Sequence, residues 1–128
     1  MSYESNESGQ PEVYLRPFNR SGAAVRVSTN GGTQARWSHK GGELFYLSPS
    51  ARLMAVTIRP SADGSGVSVG TPVELFESRI YRGGTQMSLY KFQYAVAPDG
   101  RFLINEAVAD DVSSPLIVAL NWWGPATK

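Results

Sequence analysis

The hydrophobic residues of this chain fall in short runs that turn-forming residues separate along the whole length. No window repeats apolar residues at the i, i+3, i+4, i+7 spacing of an amphipathic helix. The runs are rich in β-branched and aromatic side chains, which fit the pleated surface of a sheet. The pattern therefore predicts an all-β chain. The predicted strands are residues 12–18, 24–29, 34–38, 43–47, 52–58, 73–77, 90–97, 101–107 and 116–122.

Turn-forming sequences mark the breaks between these runs. Glycine, asparagine and aspartate reach the positive-φ backbone conformations that tight turns require, and they cluster in the breaks. Proline residues stand at strand ends, where a missing N–H is tolerated. The clearest predicted turns are residues 6–9, 30–32, 40–42, 63–64 and 99–100.

Two predicted strands are apolar or aromatic at consecutive positions, at residues 44–47 and 116–120. A strand with one face in water alternates, whereas continuous apolarity indicates that both faces meet another layer. Sheets stacked face to face on both sides, as in the blades of a β-propeller, provide that environment. A two-layer β-sandwich predicts cleaner alternation and is the second choice of fold.

A weak internal repeat also favours the propeller. Residues 37–46 and 96–104 both contain a strand, a glycine turn and an apolar strand in that order. The sequence Gly-Gly-Thr-Gln occurs at 31–34 and again at 83–86, each time before a candidate innermost strand. The spacing is irregular, and residues 67–88 are interpreted as an insertion that lengthens it.

Several segments together resemble a known repeat family. They are residues 3–9, 12–18, 27–29, 31–34, 36–38, 43–46 and 114–122. In this combination the chain resembles the TolB-like β-propeller repeat family, and the last segment is similar to the C-terminal end of such propellers. The resemblance implies protein–protein interaction more than chemistry. The family's Ser-Pro-Asp-Gly turn is altered at 38–41 and begins with alanine at 97–100, and the strand that would precede Tyr3 is absent.

The expected number of blades is too small to close a ring. At the expected repeat length the chain supplies about three, at residues 1–30, 31–80 and 81–128, whereas closed propellers have roughly four to eight. Exposed apolar faces and strand edges at both ends would aggregate or pair. We therefore expect a homo-oligomer and favour a dimer that closes a ring about a two-fold axis. A fragment packed as an irregular open array is the alternative.

Composition and charge narrow the function classes. Twelve Lys and Arg against eleven Asp and Glu leave a net charge of +1, so no field of one sign attracts nucleic acid or an acidic membrane. The absence of cysteine excludes disulfides, thiolate metal sites and a cysteine nucleophile. Residues 1–10 lack the apolar core of a signal peptide, and residues 116–120 are too short to span a bilayer. These features predict a soluble, cytoplasmic protein with no nucleic-acid or membrane partner.

The sequence shows no cluster of catalytic or metal-binding residues. His39 is the only histidine and lies in a predicted turn, so a solvated turn residue is favoured over a member of a triad. One histidine and no cysteine argue against zinc, and Asp110-Asp111 lacks the spacing of a calcium loop. The Gly-Gly-Thr-Gln segments lack the lysine and the helix of a phosphate loop and are interpreted as loops that enter inner strands. We expect no metal and no cofactor.

Candidate binding and contact residues are mostly aromatic or lie beside the innermost strand. The candidate binding residues are Gln34, Arg36 and Tyr94, and the candidate subunit-interface residues are Tyr3, Trp122 and Trp123. The first two stand where the mouth of a propeller channel would be, an inference from fold analogy alone. Aromatic side chains can stack on a sugar or a peptide, although a place in the core or at an interface is commoner. The two adjacent tryptophans point to opposite faces of a predicted strand, so one of them faces outward or towards a partner.

The favoured function is a non-catalytic binding or scaffolding module that presents a propeller surface to a protein or a peptide. A propeller-type hydrolase is one alternative, although the sequence lacks the histidine and carboxylate clusters that such an enzyme uses. A small-ligand or glycan sensor that uses the aromatic residues is another.

Overall fold

The computed structural model describes residues 1–17, 22–80 and 92–106, together with the backbone of residues 118–119. All regular secondary structure within this part of the chain is β-strand, which confirms the prediction of an all-β fold. No helix in it has the length and the apolar character that crossing a bilayer requires. The strands are β1 (Ser2–Ser5), β2 (Glu12–Leu15), β3 (Val25–Arg26), β4 (Thr33–Trp37), β5 (Glu43–Leu47), β6 (Arg52–Pro60), β7 (Val67–Val69), β8 (Val73–Glu77), β9 (Tyr94–Val96), β10 (Phe102–Asn105) and β11 (Val118–Ala119).

The strands form three antiparallel sheets in chain order. The first sheet has the order β1-β2-β3, and the third has the order β9-β10-β11. In the second sheet β4, β5 and β6 are neighbours, and the long strand β6 pairs along its other edge with both β7 and β8. Strands that are consecutive in sequence therefore pair with each other, apart from the short β7 hairpin inserted between β6 and β8.

The second sheet lies between the other two, because β5 buries both of its faces. Leu44 and Tyr46 join a core cluster with β2 of the first sheet, whereas Phe45 and Leu47 join a cluster with β9 and β10 of the third. Alternate residues of a strand point to opposite faces, so this division follows from the strand geometry. The prediction that residues 44–47 meet a layer on each side is confirmed. The other segment with this pattern, 116–120, lies outside the described residues apart from the backbone of 118–119.

Each interface between sheets has its own hydrophobic core. The cluster between the first and second sheets consists of Val13, Leu15, Val27, Leu44, Tyr46, Val56 and Ile58. The cluster between the second and third sheets consists of Phe45, Leu47, Leu53, Ala55, Ile80, Tyr94, Phe102 and Ile104. Strand β6 serves both clusters, so the middle sheet carries most of the packing.

One turn conformation recurs in the connections between strands. In each case the carbonyl of the first residue accepts a hydrogen bond from the N–H of the fourth, and the fourth residue has a positive φ. The five turns are residues 6–9, 38–41, 48–51, 61–64 and 97–100. Glycine occupies the fourth position in four of them, as the positive φ favours, and Ala51 occupies it in the fifth.

The sequence patterns missed two strands. β1 is a polar segment that the hydrophobic pattern does not mark, and it is defined by its pairing with β2, where Tyr3 lies opposite Tyr14. β7 lies in the segment interpreted as an insertion and extends the β6 hairpin. The strands of the three sheets come from residues 2–26, 33–77 and 94–119. Division into blades remains a prediction.

Candidate functional site

The first strands of the three sheets lie next to one another and form the most distinctive polar region of the molecule. β1 contacts β4, and β4 in turn contacts β9. Among the described strands each of the three pairs with a single neighbour, so one long edge of each is left without a strand partner. We call this region, made of β1, β4, β9 and residues 92–93, the first-strand edge.

Gln34 is the centre of the first-strand edge. Its backbone N–H donates to Oε1 of Glu4 at 2.6 Å, and its own Oε1 accepts from the N–H of Gln93 at 2.6 Å. Its carbonyl oxygen accepts from the hydroxyl of Tyr94 at 2.7 Å. A single buried residue thus connects the first strand of the second sheet to both neighbouring sheets.

The local sequence explains why Gln34 can make these bonds. Its φ of 57° lies in the left-handed region, which non-glycine residues rarely adopt. The pairing of β4 with β5 shifts register between Thr33 and Arg36, so the strand bulges at this point. A bulge redirects side chains and backbone groups away from the regular ladder. The glutamine amide and the main chain therefore both face neighbouring strands.

The loop that enters β4 packs tightly against Ser28, which follows β3, and against Tyr46 in β5. A side chain at Gly32 would lie 2.5 Å from Cβ of Ser28 and 2.8 Å from the Tyr46 ring, so only glycine fits. Gly31 has a φ of 100° and donates its N–H to Oε1 of Glu12 at 3.0 Å. In the first Gly-Gly-Thr-Gln segment the two glycines form a loop that leads into β4, whereas Thr33 and Gln34 belong to the strand itself. The second copy, at 83–86, lies outside the described residues.

Tyr94 is a buried hydrogen-bond donor. Burial raises its pKa strongly; the charge of Arg36 opposes the rise and that of Glu4 adds to it. The phenol therefore stays protonated at physiological pH and donates to Gln34. Tyr94 contributes its ring to the core and its hydroxyl to the first-strand edge, a division that suits the amphipathic tyrosine side chain.

Arg36 supplies a positive charge beside the exposed ring of Phe92. Its guanidinium carbon lies 3.6 Å from the centre of the Phe92 ring, within cation–π distance. Its buried Nε atom has no hydrogen-bond partner among the described residues. Phe92 is 55% exposed and Trp37, next to Arg36 in β4, is 40% exposed. Because Trp37 follows Arg36 in β4, its side chain points to the opposite face of the strand. The partly exposed guanidinium and the Phe92 ring can together receive a carbonyl or carboxylate oxygen and an apolar side chain.

A second polar centre surrounds the buried carboxylate of Glu12, which lies opposite Ser5 of β1. Its oxygens accept hydrogen bonds from the hydroxyl of Ser28, the N–H of Gly31 and the side-chain amide of Gln10. The Ser28 oxygen in turn accepts from the N–H of Val13 at 2.8 Å. A buried charge is tolerated when hydrogen bonds satisfy it in this way. These bonds join β2, the segment after β3 and the loop before β4.

The remaining sequence-derived candidates are dispersed over the molecule. His39 is in an exposed turn, and its Nε2 donates to the carbonyl of Val96 in the third sheet at 2.8 Å. Tyr3 stacks on Tyr14 with ring centres 5.6 Å apart, on the outer face of the first sheet. Trp122, Trp123 and the Asp110-Asp111 pair lie outside the described residues. Within residues 1–17, 22–80 and 92–106 no group of three or more His, Asp or Glu side chains is placed to hold a metal ion.

The structure brings the three candidate binding residues together. Gln34 and Tyr94 are hydrogen-bonded and buried, and Arg36 lies beside them with the more exposed surface. Sequence reasoning missed Glu4, Gln93 and Phe92, which complete the region. The buried Glu12 centre was also missed, although a charged residue before the apolar run 13–15 and a serine after Val27 were visible.

No protein-family model, no curated protein and no solved structure matches this chain.

Proposed function

We propose that this chain is a non-catalytic binding and scaffolding module built from β-propeller blades, and that it holds a protein or peptide partner along the first-strand edge. The observation that carries the proposal is the side-by-side arrangement of three first strands, with Arg36 on the exposed Phe92 ring and the exposed Trp37 ring on the opposite face of β4.

The order of the strands supports the propeller over the sandwich. Each sheet is a meander whose first strand lies beside the first strand of the next sheet. Blades arranged around an axis have this arrangement, since their first strands surround the centre. A two-layer sandwich has no sheet that is covered on both faces, whereas β5 packs on both sides. The resemblance to TolB-like repeats points the same way.

The chemistry of the first-strand edge supports peptide binding. Strand edges without a partner offer backbone N–H and C=O groups to an extended peptide, which adds to the sheet as another strand. Trp37 and Phe92 provide apolar surface, and Arg36 provides a charge that pairs with a carboxylate or a carbonyl. Aromatic and arginine side chains are the types that most often dominate binding energy at interfaces.

Selection from a random-peptide phage library on the immobilised chain tests this proposal. Selected peptides, synthesised and measured by calorimetry, should lose about tenfold or more in affinity for the Trp37→Ala and Phe92→Ala variants. Val73→Ala is the matched control, because Val73 is also exposed but lies on β8, at the opposite side of the second sheet. Equal affinity for all three variants, or no selectable peptide, would contradict the proposal.

A small-ligand or glycan sensor is a second candidate, favoured by the exposure of Trp37 and Phe92. Aromatic rings of this kind also stack on sugar rings. A glycan array probed with the same variants separates the two functions: sugar binding that requires Trp37, without peptide binding, would favour the sensor.

A further inference from the structure

We propose that two copies of the chain associate head to tail, with the outer face of the third sheet in one copy packed on the outer face of the first sheet in the other. This surface is separate from the first-strand edge, and the proposal does not depend on the peptide-binding function. It follows from a repeated pattern in the interfaces between the sheets.

The second strands of the three sheets are equivalent by position. In the second sheet, Leu44 lies opposite Trp37, the residue immediately before the turn 38–41. In the third sheet, Phe102 lies opposite Val96, the residue immediately before the matching turn 97–100. Leu44 and Phe102 therefore correspond, and the next two residues of each strand correspond in turn. In the first sheet, Val13-Tyr14-Leu15 matches Phe45-Tyr46-Leu47 in sequence and in its alternation.

Each sheet has a leading face, towards the sheet that precedes it in the chain, and a trailing face, towards the sheet that follows. Tyr46 and Ile104 are equivalent residues on leading faces, and both are buried against the preceding sheet. Val13 and Phe45 are equivalent residues on trailing faces, and both are buried against the following sheet. Both interfaces within the chain therefore join a trailing face to a leading face.

The two outer faces of the three-sheet stack are a leading face on the first sheet and a trailing face on the third. The first sheet presents a leading face with Tyr14, which is equivalent to Tyr46 but only half-buried, whereas Tyr46 is 1% exposed. The third sheet presents a trailing face with Leu103, which is equivalent to Phe45 and is 43% exposed. The unmatched faces are thus the two halves of the interface that the chain already forms twice.

Because the two outer faces are complementary, we infer that a second copy of the chain covers them. Tyr14 stacks on Tyr3, so the leading face offers two adjacent aromatic rings. Among the described residues of the trailing face, the apolar Leu103 lies opposite Ala95. Two copies related by a two-fold axis would join both pairs of faces at once. The result has six sheets, within the roughly four to eight blades of closed propellers.

Sedimentation of surface variants tests the proposal. The wild-type chain should sediment at twice its 13.9 kDa mass. Tyr14→Glu and Leu103→Glu should each sediment as single chains, because each variant loses both interfaces of the ring. Val73→Glu, at an exposed apolar position on β8, is the control and should keep the wild-type mass. Circular dichroism and thermal unfolding establish that each variant is folded; a serine replacement takes the place of any glutamate variant that is not.

Mixing the two single-chain variants gives the decisive result. Tyr14→Glu retains an intact trailing face and Leu103→Glu retains an intact leading face, so an equimolar mixture should form a complex of two chains at high micromolar concentration. A wild-type chain that sediments as a monomer would overturn the proposal. So would a dimer that survives Leu103→Glu, since the leading faces would then be pairing with each other, or a mixture that stays monomeric.

Discussion

The two interfaces of the middle sheet bury opposite faces of the same strands and are held together by different chemistry. Between the first and second sheets the core is aliphatic except for Tyr46, and the buried carboxylate of Glu12 joins the loops at its border. Between the second and third sheets the core contains three aromatic rings among aliphatic side chains, with the Phe45 ring edge-on to Phe102 at 4.9 Å. There the side-chain hydrogen bonds between the sheets come from the buried Gln34 and Tyr94 and from the exposed His39.

The difference shows two ways of fixing one sheet on another. Apolar packing lacks directional preference, so hydrogen bonds to buried polar groups are needed to set the relative position of two sheets. At the first interface a charged residue collects donors from loops. At the second interface a neutral amide and a tyrosine hydroxyl connect strand backbones directly.

The largest expected effect comes from comparing alanine substitutions at equivalent positions of the two cores. Phe45→Ala should lower the free energy of unfolding by about 3–5 kcal/mol, because it removes a buried ring and its contact with Phe102. Val13→Ala, on the trailing face of the first sheet, should cost about 2 kcal/mol, since fewer buried carbon atoms are lost. Urea denaturation measures both. Equal losses would show that the aromatic core has no special weight.

Glu12→Gln tests how much the buried carboxylate stabilises the interface between the first and second sheets. The amide keeps the shape of the side chain but turns one acceptor into a donor that faces the hydroxyl of Ser28 or the N–H of Gly31. The free energy of unfolding should fall by about 2 kcal/mol, the range for hydrogen bonds to a charged group. Glu7→Gln, at an exposed position of the first turn, is the control. If the two variants unfold alike, the carboxylate is not needed.

Substitutions of Gln34 test how much its hydrogen bonds stabilise the interface between the second and third sheets. Gln34→Ala removes the acceptor for the N–H of Gln93 and should cost about 1–3 kcal/mol. Gln34→Gly removes the same acceptor but relieves the positive φ, so it should cost about 0.5–1 kcal/mol less than the alanine variant. Thermal or urea unfolding ranks the two. The reverse order would mean that the left-handed conformation is not adopted in solution.

The smallest expected effect concerns the turn that leads into β10. Gly100 has a φ of 88° and open space where a side chain would lie, so Gly100→Ala should cost about 1 kcal/mol through backbone conformation alone. Gly66 has equally open space without a positive φ, and Gly66→Ala should be neutral or slightly stabilising. A loss of stability at both positions would point to a cause other than backbone conformation.

The part of the fold that follows from local pattern could be predicted from the sequence. Consecutive apolar residues at 44–47 indicated burial on both faces, and glycine-containing breaks indicated the turns. β1 could not be predicted in this way, because Ser2–Ser5 gains its strand conformation from pairing with β2 and not from its own hydrophobicity.

Three residues of the candidate site could be predicted from the sequence, but the hydrogen bonds and contacts that join them could not. Gln34, Arg36 and Tyr94 were singled out by their place near inner strands and by aromatic character. The role of Gln34 depends on a bulge, a positive φ and a partner 59 residues away. Phe92 and Gln93 carry no local signal that relates them to β4, so only the packing of the third sheet reveals them.

Residue-resolved amide hydrogen exchange tests the central claim, that the second sheet is enclosed between the other two. The N–H groups of Glu43–Leu47 in β5 should exchange only through global unfolding, because both edges of the strand are paired and both faces are covered. Those of Ser2–Ser5 in β1, which has one paired edge, should exchange at a clearly lower free energy. Exchange of β5 as readily as β1 would contradict the stacked arrangement.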